Sequence, residues 1–144
     1  MDFIPYFDKA KAVEVELDKP RLLYFNIGSA GELERKMGSS IMMLFQTEQK
    51  GMSTMTSMYF LRTAYQIGLQ ADAPGLTQQR VDELLQTVLD SCETPQEHMQ
   101  ALLGLGTKVI EALRGCGAFP KAKKEEAANS VKPAGKPRGK KSPQ

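Results

Sequence analysis

The chain has 144 residues, 41% hydrophobic and 25% charged, which is enough for one globular domain and too few for two. Residues 121–144 contain eight Lys or Arg and two Glu, a net +6, so the formal charge of +2 leaves −4 on residues 1–120. The longest apolar stretches, such as 41–45, are too short to cross a bilayer, and the N-terminus lacks a basic region followed by an apolar run. The sequence therefore predicts an acidic body with a basic tail, neither membrane-spanning nor exported.

The first part of the body predicts a β-hairpin. Residues 12–17 alternate apolar and charged side chains with a period of two, which is typical of a half-buried strand. Residues 18–20, Asp-Lys-Pro, then supply a turn, and residues 21–27 are a second strand candidate rich in aromatic and aliphatic side chains.

A short helix is predicted after the hairpin, over about residues 30–37. Ser29 and Glu32 have the spacing of a capping box, in which each side chain satisfies a backbone N–H at the start of a helix. Gly38 is the predicted stop, because glycine readily adopts the left-handed conformation that ends many helices.

The middle of the chain predicts two further helical segments. Residues 41–45 form an apolar cluster, interpreted as a short helical piece that the polar stretch 47–51 ends. Ser53 is the predicted cap of a longer helix over about 54–70. Its apolar positions recur at spacings of three and four and cover much of its circumference; they are Met55, Met58, Tyr59, Leu61, Ala64, Tyr65, Gly68 and Leu69.

Two helices with clearer patterns complete the body. Thr77 caps the first, which follows a loop containing proline and glycine, and Thr94 caps the second, with proline at the first helical position and glutamate three residues after the cap. Gly115 ends the second helix. The apolar stripes are Val81, Leu84, Leu85, Val88 and Leu89 on the first helix, and Leu102, Leu105, Val109 and Leu113 on the second.

These elements predict a mainly α fold, with a short N-terminal β-hairpin followed by four or five helices. Residues 1–120 are the predicted helical domain. Residues 121–144 are rich in Lys, Ala, Pro and Gly and have almost nothing to bury, so ordering them would cost backbone entropy without compensation. They are predicted to be a disordered basic tail.

Residues that usually carry catalysis or bind metals are sparse. His98 is the only histidine and lies in the first turn of the last helix, where a partly exposed structural role is expected. Cys92 and Cys116 fit neither a redox pair nor a zinc cluster and are predicted to be buried thiols in a reducing cytosol. Gly104 and Gly106 lie inside an apolar helix, which favours close helix packing over phosphate binding. The sequence predicts no catalytic residue, no metal site and no cofactor.

Methionine is concentrated in one part of the body, since six of the eight methionines lie within residues 37–58. Methionine is flexible and polarizable, and methionine-rich surfaces can repack against varied partners. Gap-filling in the core is the alternative interpretation, and the sequence favours neither. If the methionines form a surface that repacks against partners, the predicted partner-binding residues are Met52, Met55, Met58 and Tyr59.

The basic tail also has two interpretations. Its lysines could contact nucleic-acid phosphates, which would suit a small helical nucleic-acid-binding or regulatory protein. However, the tail lacks interleaved aromatic residues that stack on bases, and the body is acidic. A solubilising or linker segment is therefore favoured, and nucleic acid is not an expected partner.

With these elements in order, the chain resembles the tail assembly chaperone family of siphophages over about residues 12–113. Residues 21–27 run into 30–34 and end at Gly38, where the family shows an aromatic-rich strand entering a helix with a Glu-Leu-Glu core and a terminal glycine. The second set of matching residues is Leu61, Arg62, Gly68, Leu69, Asp72, Pro74, Leu76, Thr77, Val81, Leu84 and Leu85. The chain departs from the family at Gln66-Ile67, where the family often has a large aromatic residue just before the position of Gly68.

The resemblance implies a helper protein in the host cytoplasm. Such a protein coats the helical tape measure protein, keeps it soluble and recruits tail tube subunits before leaving the finished tail, so it is not expected in the mature virion. This role needs no active site. The resemblance leaves open whether the chain associates with itself. A less favoured alternative function is that of an accessory subunit of a phage enzyme.

The family also implies a second, longer product. Its members are often made in two lengths, the longer one arising when ribosomes slip back one nucleotide near the end of the first reading frame. Residues 139–141, Gly-Lys-Lys, can be encoded GGA AAA AAG, on which both tRNAs re-pair after the slip, and residues 122–124 could do the same. An ordinary lysine-rich tail is the alternative. Interrupted A-runs at both places, or an immediate stop in the −1 frame, would contradict slippage.

Overall fold

The computed structural model of the chain describes residues 7–119, so the predicted disordered tail lies outside the described residues. A 3-10 turn at Lys9–Lys11 precedes strands β1 (Val13–Glu16) and β2 (Pro20–Leu23). Six α-helices follow within the described range: α1 (Ile27–Met37), α2 (Ile41–Leu44), α3 (Glu48–Met55), α4 (Met58–Gly68), α5 (Gln78–Asp90) and α6 (Pro95–Gly115). The predicted mainly α fold with an N-terminal hairpin is confirmed.

The hairpin packs directly on the end of α4. β1 and β2 are antiparallel, with Val15 opposite Arg21, and the alternation of the strands buries Val15 and Leu23. The Tyr24 N–H donates to the Gly68 carbonyl at 2.9 Å. A methyl group added at Gly68 would lie 2.6 Å from Leu23 Cδ1. A side chain at position 68 would therefore force the buried Leu23 and Phe25 side chains to shift.

A bidentate ion pair holds the hairpin turn. Asp18 Oδ1 accepts from Arg21 Nε at 2.7 Å, and Asp18 Oδ2 accepts from Arg21 Nη2 at 2.9 Å. Arg80 on α5 lies 3.4 Å from the same carboxylate. The hydrogen bonds and charge of Arg21 lower the pKa of Asp18 from 3.8 to about 2. The turn is thereby tied to α5.

Replacing Asp18 by Asn should make the fold less sensitive to acid. The pKa of Asp18 is lower in the folded chain than in the unfolded chain, so the ionised carboxylate stabilises the fold above the unfolded pKa. That contribution disappears as the pH falls from 3.8 towards about 2. Because the ion pair is partly exposed, we expect the ionised carboxylate to contribute about 1 kcal/mol or less to the free energy of unfolding. Urea unfolding of wild type and D18N above and below this pH window measures the contribution. An equal loss of stability on acidification in the two proteins would contradict the prediction.

The first helix begins differently from its prediction. Asn26 caps α1 by accepting from the Ser29 N–H at 2.9 Å, and the Ser29 hydroxyl accepts from the Asn26 N–H at 2.9 Å. The predicted pairing of Ser29 with Glu32 is therefore wrong, because the extended Asn26 already satisfies this end of the helix. Gly38 ends α1 with φ 73°, as predicted.

The predicted helix over 54–70 is divided into α3 and α4. Thr47 caps α3 by accepting from the Lys50 N–H at 3.1 Å, so the polar stretch expected to end a helix begins one. Ser57 caps α4 by accepting from the Phe60 N–H at 3.2 Å. Because of this division, residues 7–119 contain six helices where four or five were predicted.

Ser53, the predicted cap, lies inside α3. The helix ends after Met55, where the Thr56 hydroxyl donates to the Met52 carbonyl at 2.9 Å and the following residue is extended. The break divides the predicted partner-binding residues, so that Met52 and Met55 belong to α3 while Met58 begins α4.

Helix α4 forms the centre of the core, packed against α1, α5 and α6. Tyr65 is fully buried, and its hydroxyl donates to the Leu105 carbonyl on α6 at 2.7 Å. Burial raises the pKa of Tyr65. The predicted stripe of α5 faces this core, with Val81, Leu84 and Leu85 buried. Within residues 7–119, no helix is both long enough and apolar enough to span a bilayer.

Candidate partner-binding site

The structure places three of the four predicted partner-binding residues at the surface. Met52 is 49% exposed, Met58 is 52% exposed and Tyr59 is 50% exposed. Met55 is partly buried, and its backbone packs against α6 so closely that a methyl group added at Gly106 would lie 2.6 Å from the Met55 carbonyl oxygen. Met55 therefore contributes to a helix contact, whereas the other three side chains are accessible.

Methionine dominates the exposed apolar side chains of the described chain. Five of the seven large ones are methionines, and Met42, Met43, Met52, Met58 and Tyr59 fall on α2, α3 and α4. We call these five residues the methionine surface. A scattered exposed hydrophobic residue is ordinary, whereas this concentration on consecutive helices makes the methionine surface a candidate for partner binding. Met37 packs against the core, so the gap-filling interpretation holds for this methionine, and partner binding by the exposed ones stays a prediction.

Tyr59 has a fixed position within the methionine surface. Its hydroxyl donates to the Lys36 carbonyl near the end of α1, at 3.2 Å. This bond holds the ring along the junction of α1 and α4, with half of its surface still accessible. A ring held in this way loses little entropy when a partner covers it.

A groove of about 330 Å³ opens between α4, α5 and α6, beside the methionine surface. Met58 belongs to both features. The side chains along the groove are mainly apolar, with polar groups at the rim. They are Met58, Leu61, Arg62, Asp82, Leu85, Gln86, Leu89 and Leu105. We call this feature the helical groove.

An ion pair braces the rim of the helical groove. Arg62 Nε lies 3.0 Å from Asp82 Oδ1, and Arg62 Nη2 lies 2.6 Å from Asp82 Oδ2. Gln78 adds hydrogen bonds to Asp82 Oδ1 at 3.0 Å and to the Arg62 carbonyl at 3.1 Å. The Arg62 guanidinium lowers the pKa of Asp82. These contacts fix α4 relative to α5 and so hold the groove open.

A second, more polar hollow of about 240 Å³ lies between α2 and α3. Met43 is the member of the methionine surface that lines it, together with the polar side chains of Lys50 and Thr54. The Thr54 hydroxyl donates to the Leu44 carbonyl at 3.0 Å, which joins the two helices. This hollow offers less apolar contact than the helical groove.

The remaining sequence candidates stand apart from both features. His98 is partly exposed in the first turn of α6, as predicted. Cys92 and Cys116 are free and only partly buried, so the prediction of buried thiols is wrong. Burial nevertheless raises the pKa of Cys116, which disfavours its reactive thiolate. Among residues 7–119, no group of three His, Cys, Asp or Glu side chains could hold a metal ion.

Gly104 and Gly106 of α6 have different environments. Gly106 is buried against α3, as the prediction of close helix packing requires. Gly104 is exposed, and a methyl group there would meet nothing within 4 Å. The packing prediction is therefore confirmed for Gly106 and wrong for Gly104.

The sequence did not single out the helical groove. The sequence predicts Leu85 and Leu89 as parts of an apolar stripe, but Arg62 and Asp82 are 20 residues apart and no local pattern pairs them.

Comparison with protein-family models, curated proteins and solved structures finds no match to this chain.

Proposed function

We propose that this protein is a tail assembly chaperone of a long-tailed bacteriophage, which keeps the helical tape measure protein soluble and recruits tail tube subunits during virion assembly. The observation that carries the proposal is the exposure of Met52, Met58 and Tyr59, of which Met58 also lines the helical groove. Leaving such side chains in water forgoes the stabilisation of burying them, about 25 cal/mol per Å² of apolar surface. A helical partner with an apolar stripe would cover them.

The adaptability of methionine suits this partner. A tape measure protein offers many helical segments of different sequence, so a chaperone that coats it needs a surface that repacks rather than a rigid pocket. Unbranched thioether side chains such as Met52 and Met58 change rotamer at little cost and still give good van der Waals contact. The resemblance supports the same function, since its matched residues lie in the hairpin, α1, α4, α5 and the connections between them.

The binding of a tape measure segment should survive added salt. Apolar contacts at the methionine surface are insensitive to ionic strength, whereas each phosphate-type contact costs about one decade of affinity per decade of salt. Pull-downs from about 0.1 M to about 1 M NaCl measure this, with duplex DNA as the competing probe. Steep weakening with salt, together with comparable binding to DNA, would contradict the proposal and favour the nucleic-acid alternative.

A further inference from the structure

The helical groove has apolar walls and room for a few side chains. Three helices contribute apolar walls: Met58 and Leu61 from α4, Leu85 and Leu89 from α5, and Leu105 from α6. A volume of about 330 Å³ is at the small end of ligand-binding pockets. A whole helix cannot enter it, but a helix lying across its mouth can insert side chains from positions i, i+3 or i+4, and i+7.

Between Arg80 and Lys108, the part of the chain that contributes the α5 and α6 walls of the groove is acidic. Residues 81–107, which include most of α5 and the first half of α6, contain five Asp or Glu and no Lys or Arg. On α4, the only ionised side chain is Arg62, which Asp82 already neutralises. Two of the five acids are already paired, Asp82 with Arg62 and Glu83 with Arg80, so the acids of this stretch that remain unbalanced are Asp90, Glu93 and Glu97.

Asp90 carries negative charge one helical turn beyond Gln86, which lines the groove. Along α5, Asp82, Gln86 and Asp90 follow one another at intervals of four residues, beside the apolar pair Leu85 and Leu89. Asp90 accepts from the Gln86 amide at 2.8 Å, is exposed, and pairs with no basic side chain of residues 7–119. A partner cation can reach this carboxylate from solvent.

From these features we infer that the occupant of the helical groove is an amphipathic helix whose apolar stripe has Lys or Arg along the flank that faces α5. This inference rests on the proposed function only for the identity of the partner, and it specifies which tape measure segments would bind. Opposite charges at a rim mainly steer association and fix orientation, while the apolar stripe supplies the affinity. The chain's own residues 121–144 are basic, but Val131 is their only large apolar side chain, so they lack such a stripe.

Two synthetic helical peptides test the inference on the full chain. Both carry the same leucine stripe; one has Lys and the other Glu on the flanking positions. The Lys peptide should bind at least about tenfold more tightly. With methionines labelled at the methyl carbon, it should shift the NMR signal of Met58 in the groove and leave those of Met43 and Met99 in place.

Variants separate the groove from general attraction to an acidic protein. Asp90→Asn should reduce the preference for the Lys peptide several-fold, while the control Glu111→Gln, an exposed acid on the second half of α6, should not. Leu89→Gln should weaken both peptides. Equal effects of D90N and E111Q, equal affinities for the two peptides, or shifts at Met43 or Met99 would overturn the inference. A Met58 shift that depends on protein concentration alone would identify a second copy as the occupant instead.

The same measurements distinguish the inference from the proposed function, because the peptides contain no tape measure sequence. Binding of the Lys peptide without any binding of the tape measure protein would refute the proposed function alone. Tape measure binding that leaves the Met58 signal unchanged would refute the helical groove as its site, and the proposed function would stand.

Discussion

Replacing Gly106 by alanine should destabilise the fold by about 2 kcal/mol or more, whereas the same change at Gly104 should stabilise it by up to about 1 kcal/mol. A methyl group at Gly106 would lie 2.6 Å from the Met55 carbonyl oxygen and 2.8 Å from Met55 Cβ. Rotation of a flexible side chain cannot relieve this overlap, so α3 would have to move away from α6. At Gly104 the methyl group meets nothing within 4 Å, and alanine has the higher helix propensity.

The two glycine variants form a matched pair, since they differ only by two positions on one helix. Urea or thermal unfolding of both, followed by circular dichroism, measures the difference. Similar changes in the free energy of unfolding for G104A and G106A would contradict the described packing of α3 on α6. A stable G106A protein with the spectrum of wild type would do the same.

The second large effect is expected on binding. Replacing Met52, Met58 and Tyr59 together by Gln should weaken the affinity for a tape measure segment by at least about 100-fold, because central apolar anchors typically contribute about 1–2 kcal/mol each. All three side chains are about half exposed, so the fold should remain intact apart from the loss of the Tyr59 hydrogen bond to Lys36. Titration calorimetry with a tape measure segment measures the change.

Met99 provides the control for this experiment. It is 49% exposed, as Met52 is, but lies near the start of α6 and outside the methionine surface. Met99→Gln should leave the affinity unchanged. If M99Q weakened binding as much as the triple variant, or if the triple variant bound like wild type, the partner would not be bound at the methionine surface.

Local patterns predicted the elements whose information lies within a few residues. The alternation of residues 12–17 predicted β1, and the cap at Thr94 followed by proline predicted the start of α6. Gly38 ended α1 as expected because a left-handed stop depends on one residue. In each case the backbone requirement and the side chain that meets it are neighbours in sequence.

The division between α3 and α4 was not predictable in the same way. Ser53 and Ser57 can both cap a helix, and the apolar spacing continues across the break. The structure selects Ser57, since α3 and α4 then pack against α6 separately, with Met55 against Gly106 and Tyr65 bonded to Leu105. Tertiary packing thus overrode a locally valid cap.

The candidate site shows the same limit. Met52 and Met55 are the same residue type three positions apart on one helix, yet one is half exposed and the other packs on α6. Their different exposure depends on where α6 lies, which no local pattern contains. The helical groove needs three helices that are separated in sequence, and its Arg62–Asp82 brace exists only after α4 packs against α5.

Co-expression with the tape measure protein encoded in the same genome tests the proposed function most directly. We expect the tape measure protein to be insoluble alone, to become soluble with this chain and to co-purify with it in high salt. The triple variant of Met52, Met58 and Tyr59 should fail to rescue solubility, while Met99→Gln should succeed. A tape measure protein that stays insoluble with wild type, or becomes soluble without ever co-purifying with this chain, would contradict the proposed function.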